Sequence, residues 1–338
     1  AGEMLAGLRG AFVLLDAGSG EVLAMHSSPG FDPGLFVPSI KSGDYSKLAG
    51  DAGRPFINRA ISSAYMPGSV LKPLLALALM KSGIRPDEEV DCIGYSQFGR
   101  QKVRCWRTEG HGRLAMHDAI EQSCNCYFME MSGRAGFDTM KAVFQDFGIG
   151  SKTGLELSEN SGLCPSREYM KKVYGQKWNV FDTALLAIGQ GIILVTPLQA
   201  AEYMALIANG GIAYRPHLLK AVYDSDGTLI IEIKGKEPRF SSDMDAACFN
   251  VVREGMFRVV HGERGTGKKA DSEKITVYGK TGTAEFKSGE QKRKNTWMAG
   301  FAEKDGEKYS YALLVEDGIS GGSTCAPLIK HFFNTWID

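Results

Sequence analysis

Ser69 and Lys72 stand three residues apart in Met66-Pro67-Gly68-Ser69-Val70-Leu71-Lys72-Pro73, immediately ahead of the run Leu74-Leu75-Ala76-Leu77-Ala78-Leu79-Met80. The Pro-Gly pair breaks structure and the Leu/Ala run forms helix. On a helix, residues three apart share a face, so the two side chains come within proton-exchange reach. A serine there lies near orphan N–H groups and the positive end of the helix dipole, both of which favour an alkoxide or oxyanion. Pro73 is compatible with a helix that has only just begun. A serine becomes a nucleophile when a base takes its proton, and a desolvated lysine can be that base. The bland alternative is an ordinary helix start with a solvated lysine. Partners elsewhere in the chain must decide between the two.

Ser123-Cys124-Asn125, at the start of a helical pattern, offers a second hydroxyl to relay protons and an amide to hold a substrate backbone. Ser158-Glu159-Asn160 is the decoy, in a loop. Tyr278-Gly279-Lys280-Thr281-Gly282-Thr283-Ala284 follows the β-branched run Ile275-Thr276-Val277, which places it on a strand. Its edge could pair with an extended peptide, with Lys280 and Thr281 facing a carboxylate and Gly282 permitting close approach. Lys152-Thr153-Gly154 repeats the tripeptide but follows Phe147-Gly148-Ile149-Gly150, a post-helix loop without strand character, and is rejected.

Seven cysteines leave at least one unpaired within the chain, and four of them fall between Cys92 and Cys126. Cys92, Cys105, His111 and Cys124 supply three thiols and one imidazole, the donor set that tetrahedral structural zinc prefers. Disulfides and buried free thiols remain alternatives, and Cys126, Asp91 and His117 are substitute ligands.

These residues require a scaffold. The chain has 338 residues, 43% hydrophobic and 23% charged, enough for a large core. Charges balance at 39 against 39, which removes any general pull toward nucleic acid or an anionic membrane. The longest apolar runs are too short to span a bilayer, so the chain is either soluble or cut from an anchored protein. Residues 11–16 and 22–25 read as a hairpin around Ala17-Gly18-Ser19-Gly20, and residues 27–55 as an irregular connection. From about 69 to 210 the pattern is mostly helical, with Ile120, Cys124, Phe128 and Met131 on one helical face and helices at 140–147 and from Pro197 to Asn209. Beyond Pro216 come strands at 218–223, 229–233, 275–278, 295–302 and 310–316, and helices near 246–260 and 327–336. Strands at both ends enclosing a helical middle predict an α+β unit. About 1–61 with 212–338 would form the sheet-containing subdomain, and about 62–211 the helical one.

Ser69-x-x-Lys72, Ser123-x-Asn125 and Lys280-Thr281-Gly282, in that order, resemble the penicillin-binding protein and serine β-lactamase superfamily. Arg54–Arg59, Gly189-Gln190-Gly191 with Thr196-Pro197-Leu198-Gln199, and Gly279–Ala284 are similar to class B penicillin-binding proteins. Asp32-Pro33-Gly34-Leu35-Phe36, Gly110-His111-Gly112-Arg113-Leu114 and Thr153-Gly154-Leu155-Glu156-Leu157 resemble the rod-shape, elongation-specific penicillin-binding protein 2 group. The resemblance covers nearly the whole chain and implies a transpeptidase fold: an antiparallel sheet flanked by helices, plus a mainly helical subdomain. It implies a peptidoglycan D,D-transpeptidase acting on a stem peptide ending in D-Ala-D-Ala and inhibited covalently by β-lactams. Ser69 would attack, Lys72 would act as base, Ser123 would relay the proton and Asn125 would hold the acyl chain. Lys280 and Thr281 would bind the terminal carboxylate, the N–H groups of Ser69 and Thr283 would form the oxyanion hole, and Gly282, Thr283 and Trp297 would join Thr281 among the substrate-binding residues, core packing explaining Trp297 equally well. Glu285 is a tolerated surface difference. The resemblance further implies no cofactor for catalysis and a membrane glycosyltransferase and elongation-complex proteins as partners. It implies a periplasmic location on the bacterial inner membrane, with the anchor and pedestal missing from this chain. Some relatives in the group carry a metal near the cysteines, partly through carboxylates, which strengthens structural zinc at Cys92, Cys105, His111 and Cys124. A serine β-lactamase and a non-enzymatic β-lactam sensor are the competing readings. The first would need a dedicated deacylating base, such as a buried Glu or a modified Lys72, and no helix-borne Glu-x-x-x-Asn is present to supply it.

Overall fold

The computed structural model describes residues 1–233, 235 and 237–337. Five antiparallel strands come from the two ends of the chain: β1 (Gly10–Asp16), β2 (Val22–Ser28), β3 (Thr276–Ser288), β4 (Gln291–Lys304) and β5 (Glu307–Glu316). Their spatial order is β3-β4-β5-β1-β2. The first six residues of β1 are all buried, which explains its unbroken apolar run: side chains on both faces are covered. The helix Ala326–Trp336 packs on the sheet through Phe332 against Phe12 and Phe333 against Tyr311, with ring centroids 4.5 and 5.5 Å apart. The helix Pro197–Ala208 is buried along its whole length and opens with a reciprocal cap between Thr196 and Gln199. It packs against β1, β4 and β5, so a helix that the sequence assigns to the helical subdomain covers the sheet. The fold is α+β.

The helix Lys72–Lys81 has no polar face. Lys72 through Leu79 are all buried, and the helices Asn125–Ala135, Phe137–Asp146 and Ala246–His261 surround it. A helix that is apolar all round is stable only at the centre of such a bundle. No described helix is long and apolar enough to cross a membrane.

Two expectations change. Residues 90–114, read as part of a helical stretch, instead form two small antiparallel pairs, Val90–Cys92 with Gly112–Leu114 and Tyr95–Phe98 with Gln101–Arg104. The second pair turns at Gly99, which has a positive φ of 59°. The continuous helical face through Ile120, Cys124, Phe128 and Met131 is interrupted as well. One helix ends at Glu121, Ser123 takes a left-handed φ of 55°, and a new helix starts at Asn125 with Cys124 as its N-cap. All four residues are still buried, because both helices face the same core.

Candidate active site

Ser69 lies in a 3-10 turn, Gly68–Leu71, that runs directly into the helix beginning at Lys72. Close glycine packing holds this turn against the sheet. Gly68 has a φ of 55° and its N–H donates to the Gly189 carbonyl at 2.9 Å. A Cβ at Gly189 would come within 2.0 Å of the Gly68 oxygen, and one at Gly282 within 3.0 Å of the Pro67 oxygen. Strand β3 therefore abuts the nucleophile turn because Gly282 has no side chain. Trp297 on β4 lies opposite Gly282 and is fully buried; its indole N–H donates to the Met66 carbonyl at 3.1 Å. This corrects its expected place among substrate-binding residues: Trp297 braces the Met66–Pro67 segment from within the core and does not line the cleft.

Lys72 and Lys280 are both completely buried. The Lys72 ammonium donates to the Ser123 carbonyl at 2.7 Å, to Ser123 Oγ at 3.2 Å and to Asn125 Oδ1 at 2.7 Å. Lys72 thus joins the two serine motifs, although among the described residues no hydrogen bond links it to Ser69 Oγ. Burial lowers its pKa to about 8, against the opposing pull of nearby thiols. Lys280 donates to the Thr281 carbonyl at 3.2 Å and sits behind the strand rather than on the cleft surface. Burial, reinforced by the Lys72 charge, holds it well below the usual lysine range.

Behind Ser123, one donor atom from each of Cys92, Cys105, His111 and Cys124 lies within 4.8 Å of all the others. His111 Nδ1 is 3.4 Å from Cys92 Sγ and 3.5 Å from Cys105 Sγ. A tetrahedral zinc, with Zn–S about 2.3 Å and Zn–N about 2.0 Å, spaces such ligands roughly 3.6 Å apart. Sulfur is also served by backbone donors, Asn125 N–H to Cys105 at 3.3 Å and Tyr127 N–H to Cys124 at 3.5 Å, as is common around thiolate ligands. All seven cysteines are free thiols. Hydrogen bonds from Cys124 and Cys126 pull the Cys105 thiol far below its ordinary range, and the same contacts push the Cys124 thiol up. The donor set and spacing fit one tetrahedral cation. Of the substitutes, Cys126 touches the cluster, Asp91 is exposed, and His117 faces Arg258 and Glu254 instead.

Ser69, Ser123, Asn125, Thr281, Gly282 and Thr283 converge on one cleft of about 530 Å³. Among the described residues, no Asp or Glu lines it. Of the remaining walls, Gln190 belongs to Gly189-Gln190-Gly191, noted in the sequence, and the others carried no motif there. Trp106, 58% exposed, faces the cleft with its indole N–H bonded to the Gln122 carbonyl at 3.0 Å and its ring edge-on to His111. Thr266 bonds the Thr281 hydroxyl at 2.8 Å, and Gly321 N–H reaches Thr283 Oγ1 at 3.3 Å. The two decoys pair with each other: Glu159 accepts from the Thr153 hydroxyl at 2.8 Å and from Gly154 N–H at 2.7 Å, away from the cleft. Glu285 is on the surface and pairs with Lys294 at 3.1 Å.

Comparison with known proteins places this geometry in context. The sequence model described as the penicillin binding protein transpeptidase domain matches residues 10–334. Peptidoglycan D,D-transpeptidase MrdA of Acinetobacter baumannii is 35% identical over all of this chain and 52% of its own length. The crystal structure of Pseudomonas aeruginosa PBP2 in complex with WCK 5153 superposes with a TM-score of 0.89 at 36% identity, covering 99% of this chain and 75% of that one. The Helicobacter pylori PBP2–MreC complex gives a TM-score of 0.88 at 30% identity, covering 99% and 61%. The chain spans about half the length of the curated relatives it matches.

Proposed function

Since the chain belongs to the penicillin-binding protein transpeptidase family, we propose that it cross-links peptidoglycan stem peptides through a Ser69 acyl-enzyme. Ser69 Oγ attacks the penultimate carbonyl of a peptide ending in D-Ala-D-Ala, and Lys72 receives its proton. Burial keeps Lys72 neutral for part of the time, and a positive charge on Lys280 beside a bound carboxylate would favour that neutral form further. Ser123, bonded to Lys72, passes the proton to the departing D-Ala amine, while Asn125 holds the acyl chain. The N–H groups of Ser69 and Thr283 receive the oxyanion, a contribution of about 3–4 kcal/mol per donor in well-studied acyl-transfer sites. The acyl-enzyme then awaits the amine of a second peptide.

The observation that carries this reading is a cleft where Ser69, Ser123, Asn125 and Thr281 converge without a single carboxylate among the lining residues described. A β-lactamase needs a dedicated base to activate water against the acyl-enzyme, and among the described residues no carboxylate lines the cleft to serve as one. β-Lactams would therefore acylate Ser69 and leave slowly. The test supplies a D-Ala-D-Ala donor peptide with a D-amino-acid amine acceptor and separates the products. The proposal expects D-Ala release with the cross-linked product. Release with hydrolysis alone would point to a hydrolase, and no release from a protein that β-lactams acylate would point to a sensor.

We further propose that Cys92, Cys105, His111 and Cys124 hold a structural zinc, which when bound would cross-link the small hairpins to the Ser123 segment and neutralise the thiolates. These residues take no part in proton transfer. The division into residues 1–61 with 212–338 and 62–211, a periplasmic setting through an anchored whole protein, and partnership with elongation-complex proteins and a membrane glycosyltransferase belong to the same reading. Support for the partners is the PBP2–MreC complex among the structural relatives.

A further inference from the structure

Among the described residues lining the cleft, Trp106 alone is aromatic, and its backbone is built in from behind. Cys105 N–H donates to the Gly94 carbonyl at 2.8 Å. A Cβ at Gly94 would lie 2.0 Å from the Thr108 oxygen and one at Gly110 2.1 Å from the Cys92 oxygen, so residues 106–110 pack tightly on residues 92–94. From this base, residues 104–106 reach the Ser123 segment at three points. Asn125 Nδ2 donates to the Arg104 carbonyl at 3.4 Å, Asn125 N–H donates to Cys105 Sγ at 3.3 Å, and the Trp106 indole N–H donates to the Gln122 carbonyl at 3.0 Å. The third bond lands directly before Ser123. Gln122 follows the helix Met116–Glu121, and the chain then breaks into the left-handed Ser123. Among the described residues no backbone N–H reaches the Gln122 carbonyl, an orphan acceptor of a helix end that the indole satisfies. The ring also rests edge-on against His111, with centroids 5.2 Å apart, so one side chain spans from the thiol–imidazole cluster to the relay corner.

We propose that Trp106 is a positioning residue for Ser123: its indole N–H anchors the Gln122 carbonyl and so fixes where the relay hydroxyl lies relative to Lys72. The inference rests on the transpeptidase reading, in which Ser123 moves the proton, and adds the group that holds it in place. A non-glycine residue in the left-handed region persists only where its surroundings enforce it. Ser123 offers Lys72 its carbonyl at 2.7 Å and its hydroxyl at 3.2 Å, so a rotated peptide at Gln122 would displace both. The indole enforces the corner from outside both flanking helices. An exposed aromatic in a cleft can instead serve as an apolar wall for a ligand. That role needs only a ring, which phenylalanine keeps, whereas the anchor needs the N–H, which phenylalanine lacks.

The test follows acylation by a fluorescent penicillin in stopped flow, over a range of concentrations, for wild type, Trp106→Phe and Trp106→Ala. Trp106 is 58% exposed, so both replacements lie outside the core and should fold. The limiting acylation rate constant should fall roughly tenfold in both, inside the 100-fold that about 1 Å of misplacement can cost. The non-covalent dissociation constant should stay within about twofold of wild type, since the loss falls on the chemical step. Hydrogen exchange reads the corner itself: the peptide holding residues 122–125 should exchange faster in both variants, and the peptide holding residues 72–81 should not change. Bound metal per chain, read by mass spectrometry, should match wild type. A wild-type rate in Trp106→Phe, a loss confined to the dissociation constant, unchanged exchange at 122–125, or a fall in metal parallel to the fall in rate overturns the positioning role. A folded wild type that the penicillin does not acylate defeats the transpeptidase reading as well, whereas equal acylation of wild type and Trp106→Phe defeats this inference alone.

Discussion

Ser69 and Ser123 face one cleft from two regions held by different physics. The Ser69 side rests on the sheet: its turn is clamped by Gly189 and Gly282, braced by the buried Trp297, and continued by a helix with no exposed face. Apolar burial and backbone ladders position it. The Ser123 side shares the buried core through Ile120, Phe128 and Met131 but has no sheet ladder or glycine clamp of that kind. It is a left-handed corner between two helices, backed by two-stranded pairs only three or four residues long and by a knot of thiols. A non-glycine residue in that conformation costs of order 1–3 kcal/mol and persists only where its surroundings enforce it. The nucleophile half is thus fixed by packing and the relay half by polar cross-links, with Lys72 bonded across the boundary.

The predictions aim at that division, the largest effect first. Lys72→Met should lower the acylation rate constant by at least about 1000-fold in stopped-flow labelling, because it removes the base. Its melting temperature should hold or rise, since the buried charge that is lost costs about 3 kcal/mol below pH 8 on the scale of its pKa shift. Gly282→Ala should slow acylation about 100-fold by pushing β3 off the Ser69 turn. Both leave the thiol cluster alone, so bound metal per chain, read by mass spectrometry, should not change.

Cys105→Ser should break the other half. Elemental analysis should find about one zinc per wild-type chain and much less in the variant, with acylation reduced roughly tenfold and the melting temperature lowered by roughly 5 °C. Full acylation in a metal-free variant would dissolve the contrast. The pH profile should then separate the chemistry from the scaffold. Lys72 is depressed to about 8, so its neutral form is scarce below that pH and dominant above it. Acylation should rise with pH through about 8 and level off, and a flat profile from 6 to 10 would exclude Lys72 as the base. Trp297→Phe should have the smallest catalytic effect, under about twofold in acylation, with a stability loss of about 1–2 kcal/mol from the lost hydrogen bond and contacts.

The same division explains what the amino-acid sequence disclosed. The Ser69 half is built from local rules: a breaker before a helix former, a three-residue spacing, a β-branched run leading into Lys280-Thr281-Gly282. Each of these was readable, and so was the failure of Lys152-Thr153-Gly154, which lacks strand character. The Ser123 corner obeys no local rule, since a serine with positive φ has no sequence signature, and the helical periodicity of Ile120, Cys124, Phe128 and Met131 ran straight across the break. The hairpin around Gly99 carries no apolar alternation in Tyr95–Phe98 or Gln101–Arg104, so only the glycine at its turn marks it. The outer cleft wall was the least legible. Thr266, Lys268 and Ser320–Ser323 reach the site only because the last helix folds back on the sheet, a tertiary event without local spacing. Trp297 was visible as a strand aromatic, but which face of a doubly covered sheet it occupies is decided by its neighbours.

The most direct test of the account is intact-protein mass after brief exposure to benzylpenicillin, on wild type and Ser69→Ala side by side. The account predicts one stoichiometric adduct, mapped to Ser69 by peptide digestion and still present after an hour, and none on the alanine variant. An adduct of equal yield on Ser69→Ala, or none on a folded wild type, would contradict it.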